Sequence, residues 1–107
     1  METFETAKTF AFNEIVNYEE NGIVSKQIIK KTTGNVTLFA FAAGQMLSEH
    51  SAPFDALVQV IEGTAEIVIG GTPHAVKAGE SIIMPANIPH AVNAHEKFKM
   101  LLTMIRS

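Results

Sequence analysis

The sequence predicts an all-β domain built from short antiparallel strands. Three observations carry that expectation. First, the β-rich runs IVSKQIIK, NVTLFAFA, ALVQVIE, AEIVI, SIIMP and FKMLLTMI fill the chain from about Ile23 onward. Second, turn-forming residues separate them at short intervals, at Gly22, Gly34-Asn35, Gly44, Pro53, Gly63, Gly70-Gly71, Gly79, Pro85, Asn87 and Pro89. Many short strands with such regular punctuation mark a sandwich or barrel. Third, 107 residues suffice for one sizeable core and leave no room for repeated βαβ units, so residues 1–107 are expected to form one domain.

The elements follow in chain order. The first twenty residues alternate apolar side chains (Phe10, Phe12, Ile15, Val16, Tyr18) with acidic ones, and Asn13 is expected to cap a helix of one or two turns containing Ile15 and Val16. The run IVSKQIIK places Lys26, Lys30 and Lys31 on one solvated strand edge. Leu57–Glu62, the turn Gly63-Thr64 and Ala65–Ile69 form the clearest expected hairpin, with Glu66 facing water and Ala65, Ile67 and Ile69 buried. Gly70-Gly71 suits a tight turn with positive φ. The last run puts Phe98, Met100, Leu102 and Met104 on one face, and Leu101 and Ile105 on the other beside Lys97, Lys99 and Thr103. That second, half-greasy face needs cover from another sheet or a second subunit. Together with the edge strand IVSKQIIK, it leads to the expectation of a homodimer.

Composition excludes several function classes. The net charge of −3 carries no block of one sign, so nothing points to nucleic acid. The chain has no cysteine, which removes disulfides, thiolate ligands and a cysteine nucleophile. No apolar run approaches the roughly 20 residues of a membrane helix. METFETAKTF lacks the apolar core of a secretory signal, so a cytoplasmic protein with no membrane partner is expected. No G-x-S-x-G elbow accompanies the serines, and Gly70-Gly71 lacks the lysine and helix of a phosphate loop.

Four histidines remain: His50, His74, His90 and His95. His74, after the Gly-Gly turn, and His95, in the polar stretch NAHEKF, are expected at the surface. His50 and His90 lie in two similarly punctuated segments. One runs from Gly44 through His50 to Gly63, the other is GESIIMPANIPHAV, with Gly79, Pro85, Asn87 and His90. These segments resemble the paired motifs of the cupin superfamily, G-x5-H-x-H-x3,4-E-x6-G and G-x5-P-x-G-x2-H-x3-N. The resemblance covers about residues 36–105. It implies a double-stranded β-helix, a jelly-roll barrel with a short N-terminal extension, in which both motifs bring their histidines to one end.

Cupins that bind metal use three histidines and a glutamate. Here the second histidine position holds Ala52, the glutamate position Ala56, the second-motif glycine position Asn87 and its final asparagine position Ala94. Asp55 is one place off the lost glutamate, and Glu49 points away from His50 on an extended strand. Gln59, polar within the apolar run LVQVI, is the replacement ligand to test. The resemblance implies His50 and His90 as ligands for a divalent transition metal (zinc, iron, nickel or manganese); the residue pattern adds Gln59 to them, and Met46, Met84 and Met100 as the pocket-lining candidates. Ordinary core packing is the competing account of the methionines. The expected function is binding of a small-molecule ligand, with or without that metal. The alternatives are a metal-dependent dioxygenase or isomerase and a structural or regulatory dimerisation module.

Overall fold

A computed structural model describes residues 4–106. A short helix, α1 (Phe12–Ile15), precedes nine strands: β1 (Ile23–Lys31), β2 (Gly34–Phe41), β3 (Met46–His50), β4 (Ala56–Glu62), β5 (Thr64–Ile69), β6 (Thr72–Lys77), β7 (Ser81–Met84), β8 (His90–Asn93) and β9 (Phe98–Ile105). They form two antiparallel sheets, a large one ordered β1-β2-β9-β4-β7 and a small one ordered β3-β8-β5-β6. Apart from the local hairpins β1–β2 and β5–β6, neighbours in each sheet come from distant parts of the chain, as the jelly-roll expectation requires. Among the described residues no helix is long and apolar enough to cross a membrane.

The sheets close over a core in which Phe41 and Phe98 stack with ring centroids 4.6 Å apart. Val58, Val60, Ala65, Ile67, Val92 and Met100 pack around them. Register fixes which side chains face this core, because directly paired residues share a sheet face. Asn35 pairs with Met104, Met104 with Ala56, and Ala56 with Met84, giving one inward rung at the end of the large sheet. The next rung inward is Gln27, Thr37, Leu102 and Val58.

Three local expectations need correction. The β4–β5 connection is not a hairpin: β4 belongs to the large sheet, and β5 pairs with β6 and β8 in the small one. Gly63 turns the chain between the sheets at φ +75°, and a Cβ there would run into the Lys97 carbonyl oxygen. The inward set nonetheless faces the core: Ala65 and Ile67 are fully buried, and Ile69 packs against the core while only partly buried. The Gly70-Gly71 hairpin also stands, with both residues at positive φ and Ile69 paired to Thr72. Asn13 does not cap α1; Ala11 is the N-cap, without a side-chain bond, and Asn13 lies inside the turn.

The third correction concerns the half-greasy face of β9. The chain's own N-terminal segment covers it. Val16 packs with Leu38, Ala40 and Leu101, flanked by Phe12, Ile15 and Tyr18. Polar contacts hold this strap in place: Lys99 Nζ donates to the Asn13 carbonyl at 2.6 Å and lies 3.5 Å from Glu62 Oε2. The strap therefore answers the need for cover that pointed to a second subunit. β1 remains at the sheet edge, paired with β2 alone.

Candidate functional site: a facing pair of imidazoles

β3 and β8 lie side by side in the small sheet, and their ladder ends with His50 opposite His90. Leu47 pairs with Val92, so three steps along β3 match two along β8. The extra residue makes a β-bulge at Ser48-Glu49. Such bulges re-aim side chains. In an unbroken ladder Glu49 would oppose His90; the bulge gives that place to His50.

The rings meet edge to face with centroids 4.4 Å apart and Nε2 to Nε2 at 3.2 Å. His50 Nδ1 lies 2.8 Å from the Ser48 carbonyl oxygen, and His90 Nδ1 lies 3.4 Å from that of Ile88. A carbonyl only accepts, so the close Ser48 partner assigns the His50 proton to Nδ1 and leaves His50 Nε2 an acceptor. His90 then either donates an Nε2 proton to it or, in the tautomer with its proton toward Ile88, faces it with a second bare nitrogen. Two lone pairs at that distance repel unless a cation, a proton or a metal ion, lies with them. Burial of His90 holds its imidazole below the ordinary histidine range; the neighbouring His50 acts in the same direction, and the Ile88 carbonyl opposes them. The site therefore disfavours a second proton on His90 while presenting two nitrogens to a positive charge.

The loops that carry the pair are tied together. β7 ends at Met84, and Pro85 has no N–H to continue the ladder. Asp55 Oδ1 accepts the next available amide, Ala86 N–H, at 2.8 Å. Asn87 N–H donates to the Ala52 carbonyl at 2.7 Å, and Gly70 N–H to that of Pro89 at 2.8 Å. Asn87 itself sits at φ +65°, the left-handed region that asparagine tolerates better than most residues. It thus does the conformational work of the glycine in the resembling motif.

The cupin-domain family model matches residues 37–106. The chain is a cupin. It is similar to a conserved protein of unknown function from Streptococcus pyogenes, at 34% identity and TM-score 0.92, over 100% of this chain and 96% of that one. It is 45% identical, at TM-score 0.88, to a cupin 2 conserved barrel domain protein from Leptotrichia buccalis, over 91% of this cupin but only 47% of that chain. It is also 27% identical to Protein SchB of Streptomyces halstedii, over 82% of this chain and 68% of that protein.

The cupin brings His50 and His90 together and leaves the other expected site residues elsewhere. Gln59 is on the wrong side of its strand. It pairs with Leu101, on the strap-facing surface of the large sheet, and lines a shallow cavity with Ile61, Gly79, Glu80 and Ser81. Both faces of β4 are covered, so a polar residue in an apolar run did not mark the interior. Met46 pairs with Asn93 outside the barrel and is 58% exposed. Met84 and Met100 belong to the close-packed core. His74 and His95 are exposed, and His95 Nε2 lies 3.2 Å from Glu66 Oε2. Among the described residues no cluster of three or more histidine, aspartate or glutamate side chains is poised around a metal position. Asp55, one place off the glutamate position, serves the turn before His90 through Ala86 N–H, a role that becomes visible only once the register sets it beside Pro85.

Proposed function

We propose that this cupin binds a small molecule at the barrel end marked by His50 and His90, and that the imidazole pair can take a divalent transition metal as part of that site. The contact between the two Nε2 atoms carries the reading. Nitrogens bound side by side to one ion, each about 2.0–2.1 Å from it, are roughly 3.0–3.4 Å apart, and the pair stands at 3.2 Å. The donor chemistry fits as well, since both Nδ1 atoms face carbonyl oxygens, the arrangement in which both Nε2 atoms can ligate. With Ala52 and Ala56 in place of side-chain donors, the remaining positions fall to water or to the ligand's own oxygens. A bound ion would supply Lewis acidity to such an oxygen. The chain's own part is to orient the two rings with their Nε2 atoms side by side.

Elemental analysis of purified protein, repeated on His50→Ala and His90→Ala, tests the metal. Stoichiometric metal lost in both variants is the expected result. No metal under nickel, zinc, iron or manganese supplementation removes the metal from the proposal. A co-purifying small molecule displaced by both substitutions still supports the ligand site. Absence of both overturns the reading.

A metal-dependent enzyme is the second reading. An ion with two protein ligands would keep positions open for substrate, and catalytic sites need at least one such position, though they usually have a third protein ligand. Turnover of an oxygenated substrate that depends on both histidines separates it from simple binding.

A further inference from the structure

The large sheet contributes an unexpected polar wall to the same end of the barrel. Asn35 and Thr37 are each only 8% exposed, yet register turns both inward. Asn35 shares its rung with Met104, Ala56 and Met84. The loop after His50 leads into Ala56, and the loop after Met84 leads into His90. This rung therefore lies at the barrel end that holds the imidazoles. Thr37 continues the wall, with Gln27 and Leu102 as its neighbours on the next rung.

Thr37 Oγ1 donates to Asn35 Oδ1 at 3.3 Å. No hydrogen-bond partner for Asn35 Nδ2 is found among the described residues, and that atom is not sealed from solvent. The Asn35 residue is thus more than nine-tenths buried on the inward face, while its Nδ2 donors reach solvent and are not used within the described chain, so a ligand can take them in place of water. Gln27 shares this face but is exposed, so the wall opens to water on the β1 side. Leu102 and Met104 supply partly exposed apolar surface next to it.

The geometry points to Asn35 as a ligand-binding residue, whose amide donates to a carboxylate or carbonyl oxygen of a small molecule with its apolar body against Leu102 and Met104. Thr37 is a positioning residue: by donating to Oδ1 it fixes the amide with Nδ2 toward the ligand. The wall carries no acidic side chain to repel a carboxylate. This inference rests on the ligand-site reading above and adds the chemical class of the ligand.

Nitrogen-15 NMR with benzoate, phenylacetate and hexanoate as probes tests it, with benzyl alcohol as a control lacking the carbonyl. The three carboxylates should shift the Asn35 side-chain amide signals, and the alcohol should not. Asn35→Ala should weaken binding on the order of ten-fold, equivalent to about 1.4 kcal/mol. Asn35→Asp, which replaces two donors with a charged acceptor, should abolish it. Thr37→Val keeps the side-chain shape and should weaken binding, whereas Thr37→Ser should retain it. Far-ultraviolet circular dichroism and thermal midpoints identify any variant that fails to fold, and the Thr37 pair then decides. Carboxylates that shift the imidazole signals of His50 and His90 but leave the Asn35 amide unmoved would overturn the inference and spare the ligand site. No shift at either place with any probe would also overturn it, with the metal analysis still judging the imidazole pair on its own.

Discussion

Tyr18 donates its phenolic proton to Glu62 Oε2 at 2.6 Å, joining the N-terminal strap to the end of β4. That bond, with Lys99 and Lys97 nearby, holds the Glu62 carboxyl below the ordinary glutamate range. Burial and the same carboxylate push the Tyr18 phenol up. A carboxyl with a lowered folded-state pKa binds its proton more weakly in the native than in the unfolded chain. Its stabilising effect is complete above the unfolded value, near 4.5, and is lost as pH falls through the lower native value. Tyr18→Phe should therefore reduce the urea midpoint at pH 7, and the gap to wild type should narrow as the pH drops below about 4.5. Glu62 is partly exposed, so the effect should also shrink in high salt. Urea melts of both proteins at several pH values give the answer.

Asp55 should matter to the imidazole pair although it touches neither ring. Asp55→Ala leaves Ala86 N–H without its acceptor and should cost about 1 kcal/mol of stability. Because the freed turn leads to His90, metal affinity should fall by about ten-fold or more, as for other residues that orient ligands. Asp55→Asn retains an acceptor oxygen and should restore most of both losses. Calorimetric titration with nickel or zinc, beside urea melts, checks this. Equal affinity in wild type and Asp55→Ala would count against the role.

Asn87 at φ +65° gives a conformational prediction. Asn87→Gly should be neutral within about 0.5 kcal/mol. Asn87→Val should cost about 1–2 kcal/mol or more, because a β-branched residue resists the left-handed region. Chemical denaturation compares the three.

Phe98 stacks on Phe41 at an interplanar angle of 13°, and both rings are fully buried. Phe98→Ala should lose about 3–5 kcal/mol, enough to threaten a small domain. Phe98→Leu should lose less. Thermal and urea melts measure both.

Much of the barrel is legible in the sequence because alternation reports faces directly. Ala65 and Ile67, like Phe98 and Met100, are inward as their spacing requires. The histidine pair is legible through the order of its punctuation. What stays hidden is instructive. Alternation does not reveal an extra residue, so the bulge that swings His50 toward His90 leaves no signature in MLSEH. A tight turn does not say whether its strands share a sheet, which is why Gly63 resembled a hairpin turn. Gln59 misleads because β4 is covered on both sides, by core and by strap. Asn35 and Thr37 go unnoticed because Gly34-Asn35 reads as a turn, whereas both residues lie within β2. The cover over Leu101 depends on a segment whose mixed apolar and acidic residues carry no clear period.

The span matched by the cupin family, residues 37–106, omits both the strap and β1. A fragment cut at that boundary would leave Leu38, Ala40 and Leu101 bare and turn β2 into a raw edge. Such a piece should be recovered as insoluble aggregate. The autonomous folding unit is therefore expected to begin upstream of the homology boundary, and truncations or fusions made for laboratory use should keep the strap and β1 attached.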